Sequence, residues 1–407
     1  MIAELKAEYN AHVLNLENIY DIKRELTNIN ADKRAFDMLI PNMNFIHVKL
    51  EQVDTRVANT IKQQINKIGG EAAISKEAYS YTARTTDMII SSSKRNIIFL
   101  AKKIASKQFG LEEIAREIEK SVDDRTGLLV INKKTFDFNH NTYISGMIDY
   151  KKHLFGTNIS DKMIMTKIDR YIESGVDMIE LSGEHSSGNS LVDEPTTEDI
   201  DSISRIIYQI KKHYPDVVLS IDAVKFNMAK AAIDSGADII NDIIPIRYNL
   251  DLIKLVAKKG IPLIIMYNPL SEKLAKPLES ISEVIRELQA NVNIAISNGV
   301  SKDKIMIDPG IGFGRKDRDN FLLLRQLSSL KHLKLPILVG MSRRSYLSGA
   351  LAGRLKKTLI STIVANTIAI INGANIVRMH SSEQVDVMKN IIEMVHPKTE
   401  EDKKNIY

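Results

Sequence analysis

"DKIMIDPGIGFGRK", residues 303–316, runs from an apolar stretch through a carboxylate and a proline into three spaced glycines. Its apolar half has the length and branching of a fully buried strand. Asp308 ends that strand and Pro309 fixes the turn, while Gly310, Gly312 and Gly314 free the main chain for close approach by a flat ligand or an anion. Beside them Phe313 offers an apolar surface, and a carboxylate such as Asp308 accepts paired N–H bonds from a heterocycle. A glycine-rich loop can also serve nothing more than a tight turn, so the flanking sequence has to decide.

Seven further runs of the same kind surround this one: "TYISGMID" from Thr142, "VDMIELS" from Val176, "VVLSID" from Val217, "ADIIND" from Ala237, "IPLIIM" from Ile261, "LPILVG" from Leu335 and "ANIVRM" from Ala374. Helix-like patterns fill the intervals, such as "NMAKAAIDSG", with a glycine near the end that suits a left-handed cap. Eight buried strands alternating with helices predict a (β/α)8 TIM barrel. A doubly wound open sheet would show similar alternation, but eight repeats favour closure. The barrel is assigned to residues 126–398, with a hairpin at "LLVINKKTFDFNHN" ahead of its first strand and a polar tail over 399–407. Residues 1–125 read differently. A helical stretch leads into strand, helix, strand, strand, helix, so they form a smaller α/β or helical accessory domain with no visible chemical motif, joined through "SVDDRTG".

Composition narrows the functions available. The 407 residues carry 56 basic against 51 acidic groups, a net charge of only +5, and the two signs are interleaved, which gives little support to nucleic acid as a partner. The chain has no cysteine, which excludes disulfides, thiolate metal sites and a cysteine nucleophile. No apolar run is long enough to span a bilayer and the first residues lack an apolar signal core, so cytoplasm is expected, with no membrane partner.

In such a barrel the active site lies at the C-terminal ends of the strands. Polar residues stand there at nearly every strand: Asp149, Glu184, Asp222 with Lys225, Asn241 with Asp242, Asn268, Asp308, Ser342 with Arg343 and Arg344, and Arg378 with His380. Taken singly, each has an ordinary explanation, a helix N-cap for an aspartate or a solvated position for a lysine or histidine. Recurrence at strand after strand weakens that explanation.

Together "DPGIGFGR", "GMSRRSYLS", "SIDAVK", "ADIINDI" and "ANIVRMH" resemble, in order and spacing, the motifs of the dihydropteroate synthase family. The resemblance covers roughly residues 135–395. It implies a pterin-binding barrel and a transferase that joins 6-hydroxymethyl-7,8-dihydropterin pyrophosphate to p-aminobenzoate, releasing pyrophosphate with the help of Mg²⁺. Carried over by position, Asp222, Asn241 and Asp308 hydrogen-bond the pterin, Met266 and Phe313 pack around it beside Gly314, and Arg344 stands where the family has a pterin-contacting lysine. Arg378 and His380 match its anion-binding pair and, with Arg344, carry the catalytic expectation. Homodimers are common in the family, and the helix around "TLISTIVANTIAIING" is the expected contact.

Two loops depart from the family pattern. "GMIDYKKHLFG" has Asp149 at the metal-binding asparagine, Lys151 for threonine and His153 for aspartate, and "SGEHSSGNS" keeps Glu184 but loses the arginine to Ser187. One reading is a synthase in which Lys151, Lys152 or His153 supplies the missing charge. Another is a pterin-binding paralogue with a different acceptor or none, including a regulatory protein. A methyltetrahydrofolate:corrinoid methyltransferase shares the barrel, but the "SRRS" loop and the anion pair argue against it.

Overall fold

The structure is a computed structural model that describes residues 12–14, 16, 19–106, 111–122, 127–139, 141–150, 160–182, 195–222, 225–244, 246–268, 277, 278, 280–313, 316–341 and 355–395. The chain divides into two compact units, Met1–Asp124 and Arg125–Tyr407, against an expected boundary after residue 125. No helix among the described residues is long and apolar enough to cross a membrane.

The first unit runs strand, helix, strand, strand, helix, with a one-turn helix, Lys76–Tyr79, before its third strand and a further helix, Glu112–Val122, at its end, neither of which is in the expected order. Strands β1 (Phe45–Asp54), β2 (Glu71–Ile74) and β3 (Thr85–Ser93) form an antiparallel sheet with β3 in the centre. Asp54 and Ser93 cap the helices that follow them, Thr55–Asn66 and Lys94–Ala105, each accepting an N–H from the first turn. Ile61 and Ile65 from one helix, and Ile97, Leu100 and Ile104 from the other, recur at helical spacing and pack on Val48, Met88 and Ile90 of the sheet.

The second unit opens with the predicted hairpin, β4 (Leu128–Ile131) and β5 (Lys134–Asp137). Asn132 and Lys133 between them both have positive φ, 45° and 64°, the two-residue turn whose twist matches that of the strands. Eight parallel strands follow: β6 (Tyr143–Asp149), β7 (Met178–Ser182), β8 (Val218–Asp222), β9 (Ile239–Asp242), β10 (Leu263–Met266), β11 (Ile305–Asp308), β12 (Leu338–Val339) and β13 (Ile376–Met379). They pair in the order β11-β10-β9-β8-β7-β6-β13-β12, and a parallel bridge from Ile307 to Ile337 joins the two ends. The ring is thus a (β/α)8 barrel, with helices such as Thr197–His213 and Ile281–Ser297 on the outside.

Alternation along the strands sets what lies inside. Met178, Val218, Ile239, Ile264, Met306, Leu338 and Ile376 turn inward at the N-terminal end, where Leu129, Ile131, Phe136 and Phe138 of the hairpin pack onto them. That end is therefore an apolar plug. Residues of opposite parity, such as Ile179, Leu219, Ile240 and Ile265, face the helices in a separate core.

Candidate active site

Two residues beyond the plug, the inward positions change character. Ser145, Glu180, Ser220, Asn241, Met266, Asp308, Gly340 and Arg378 stand there, and Asp222 follows two further along β8. Glu180, Asn241 and Asp308 are each 1% exposed, Arg378 3% and Asp222 5%. A buried charge is tolerated only when paired and hydrogen-bonded, and these groups do so with one another. Arg378 Nε lies 2.8 Å from Glu180 Oε1 and 3.0 Å from Oε2, of which the second has hydrogen-bond geometry. Its Nη1 reaches Asp308 Oδ2 at 3.3 Å. Asn241 Nδ2 donates to Asp222 Oδ1 at 2.7 Å, and Asp222 is also hydrogen-bonded with Ser182 and Glu180. Gly340 leaves room for the guanidinium, since a Cβ there would stand 2.6 Å from Arg378 Nη1.

Protonation follows from this packing. Burial pushes the Glu180 carboxyl up to about 8, against the pull of the Arg378 guanidinium. Burial likewise raises Asp222 above the ordinary carboxylate range, with Arg378 opposing. Burial also works against the charge on Arg378, but Glu180, Asp308 and Asp222 around it hold its pKa above the ordinary arginine range. At neutral pH Glu180 then keeps its proton and can donate to Asp222 while accepting from Arg378.

An apolar surface adjoins the polar one. Met266 and Ile243 are buried together, with Phe313 and Ile244 packed against them. Sequence-predicted Asp222, Asn241, Asp308, Met266 and Phe313 thus belong to two neighbouring surfaces of one barrel. Several buried polar atoms have no hydrogen-bond partner among the described residues, including Asn241 Oδ1, Arg378 Nη2, Ser145 Oγ and Ser220 Oγ. Orphaned donors and acceptors buried at the strand ends are what a heterocycle with its own donors and acceptors would satisfy.

Three expectations change. Gly310 and Gly312 serve the turn: at Gly310, with φ +66°, a Cβ would lie 1.9 Å from the Tyr267 carbonyl oxygen, and the Gly310 and Gly312 N–H groups donate to Asp308 Oδ1 and Asn320 Oδ1, each at 2.8 Å. Backbone, and no ligand, excludes the side chain at Gly310. Asp242 has the parity of the helix-facing residues and accepts from Ile244 N at 3.3 Å, so it leaves the ring of mouth residues. Arg378 is enclosed between Glu180 and Asp308, whereas His380, two residues on, is half-buried nearer the mouth. Glu180 was missed by the sequence reading, although a lone carboxylate at an inward position of "MIELS" was available as a signal.

Asp149 ends β6 and is half-buried, and Lys225 precedes the helix Phe226–Asp234. Lys151, His153, Glu184, Gly314 and Arg344 lie outside the described residues. Among the described residues no three or more acidic or histidine side chains are arranged to hold a metal ion.

Comparison with known proteins agrees with this geometry. The profile of the family described as pterin binding enzyme matches residues 153–380. The dihydropteroate synthase of Clostridium beijerinckii is 32% identical over 265 residues, 64% of this chain and 94% of that protein. A probable bifunctional folylpolyglutamate synthase/dihydropteroate synthase of Haloferax volcanii is 27% identical over 362 residues, 84% of this chain and 41% of its own length. That share exceeds what the barrel unit provides, so the similarity continues into the first unit. Among solved structures, the dihydropteroate synthase of Clostridium difficile, determined in the presence of pteroic acid, aligns with a TM-score of 0.58 at 28% identity, covering 65% of this chain and all of that one.

Proposed function

The chain belongs to the dihydropteroate synthase family of pterin-binding enzymes, and we propose that it condenses 6-hydroxymethyl-7,8-dihydropterin pyrophosphate with p-aminobenzoate in folate biosynthesis. The buried set of Asp222, Asn241 and Asp308 beside Met266 and Phe313 carries this reading. In it, the two carboxylates and the amide pair with the edge of the pterin and the apolar surface packs on its face. The aniline nitrogen forms the new bond to the pterin methylene, the C–O bond to pyrophosphate breaks, and the amine proton leaves. Positive charge develops on the methylene as pyrophosphate departs, and the acceptor oxygens of the pterin floor stabilise it. His380, nearer the mouth than Arg378, and Arg344 are assigned to the departing anion. Lys151, His153 and Glu184 are assigned to the loops around it.

Asp149 is the protein group proposed for Mg²⁺. One carboxylate suits that ion, which usually takes one or two protein oxygens and completes its shell with phosphate oxygens and water. Bound there, Mg²⁺ supplies neutralisation of pyrophosphate charge. Cytoplasm is the proposed location.

Pyrophosphate release from the pterin substrate, assayed with Mg²⁺ in the presence and absence of p-aminobenzoate, tests the function. Release that requires p-aminobenzoate is expected. Release that ignores it, or none despite retained pterin binding, would replace the synthase reading with a different acceptor or a binding role.

We also propose a homodimer through the helix Leu355–Ile371. Ile360, Val364, Ile368 and Ile371 recur on one side of it and are 40–62% exposed. Four branched apolar residues in one stripe are the kind of surface that a second copy covers. Val364→Glu is expected to convert a dimer at micromolar concentration into a monomer by sedimentation velocity. An unchanged sedimentation coefficient would place the contact elsewhere.

A further inference from the structure

Glu180 has no role in the chemistry above, yet it occupies the centre of the buried set. It is hydrogen-bonded with Asp222 on one side and accepts from Arg378 Nε on the other, and Arg378 in turn reaches Asp308. The four side chains come from β7, β8, β13 and β11, strands that are not all neighbours in the ring. The relay therefore spans the barrel interior.

We propose that Glu180 is a positioning residue: it ties Asp222 to Arg378, and through Arg378 to Asp308, and so fixes the spacing of the two carboxylates that meet the heterocycle. This rests on the pterin reading of the site. Glu180 touches none of the reacting atoms and acts through its two partners.

The relay works in one protonation state. The O–H of Glu180 donates to Asp222, and loss of that proton turns a hydrogen bond into a repulsion between adjacent anions. The groups facing Glu180 are Arg378, which favours the anion, Asp222 and Asp308, which oppose it, and burial, which opposes it most. Its pKa rises from about 4.5 to about 8, so between those values the folded protein holds a proton that the unfolded chain has lost. The stability linked to this proton is fully present below about 4.5 and is lost as pH rises through about 8.

Two substitutions separate positioning from bulk. Glu180→Gln keeps a donor for Asp222 and an acceptor for Arg378 but cannot titrate. Glu180→Leu keeps comparable volume and offers neither. Binding of 6-hydroxymethyl-7,8-dihydropterin pyrophosphate to the full chain is measured by calorimetry at pH 7 and pH 9, with folding verified by circular dichroism. For the wild type, affinity is expected to fall about tenfold or more between the two. Glu180→Gln is expected within about fivefold of wild type at pH 7 and with a flattened profile, and Glu180→Leu at least about tenfold weaker at both pH values. Titration of the ligand itself is common to all three proteins.

Parallel pH profiles for wild type and Glu180→Gln would overturn the proposal, as would wild-type affinity in Glu180→Leu. Thermal melts of the unliganded proteins form a second arm, in which the wild-type Tm is expected to fall more steeply than that of Glu180→Gln from pH 6 to pH 9. Equal slopes there would also reject the relay. If the wild type fails to bind the pterin at pH 7, the functional reading falls, while the melts still decide whether Glu180 carries the buried proton.

Discussion

Arg378→Ala is expected to destabilise the barrel by about 3–5 kcal/mol at pH 7, read as a lower urea midpoint, because it strips the only buried cation among the described residues from Glu180, Asp222 and Asp308. The cost is mainly that of leaving carboxylates buried without a counter-charge, which exceeds the small net worth of the ion pairs themselves. Its pH dependence identifies the cause. Without the guanidinium the carboxylates hold protons more tightly in the folded state, so the deficit should shrink as pH falls toward 5 and widen toward 8. A deficit independent of pH would indicate loss of packing alone. Arg378→Lys keeps a charge but donates as a point rather than a fork, and should recover part of the loss.

Asp308→Ala is expected to lower kcat/KM for the pterin substrate on the order of 10³-fold, since hydrogen bonds to a charged group contribute about 1.5–3 kcal/mol each and the heterocycle would lose a carboxylate that accepts paired bonds. Asp308 is also structural: its Oδ1 holds the turn through Gly310 N, and its Oδ2 meets Arg378. Asp308→Asn retains an acceptor for the turn and separates the two contributions. If the asparagine variant keeps wild-type kcat/KM while the alanine variant melts early, Asp308 serves the fold and the pterin assignment is wrong.

The barrel was legible because a fully buried parallel strand leaves a compact signature, a short branched run ending in a polar residue, and eight of these occur at helix-length intervals. The site was legible where its residues end such runs. Asp222, Asn241, Met266 and Asp308 are all at or within one residue of a strand end. Glu180 lies in the middle of "MIELS", where only parity, and not a strand end, marks it as inward-facing. Asp242 is the converse case, a strand-end carboxylate of the wrong parity. It sits beside Asn241 in sequence, but one residue along a strand means the opposite face. The glycine loop shows a further limit. Sequence reveals that side chains are excluded at Gly310, whereas the identity of the excluding group, the Tyr267 carbonyl, depends on how two strand ends meet.

The hairpin that fills the lower end of the barrel also governs traffic. With Leu129, Ile131, Phe136 and Phe138 sealing that side, water and protons reach the charged residues through the mouth. A pterin seated there closes the route from above. The proton on Glu180 would then trade with solvent no faster than the ligand departs, so occupancy fixes the charge state of the site for as long as the complex lasts.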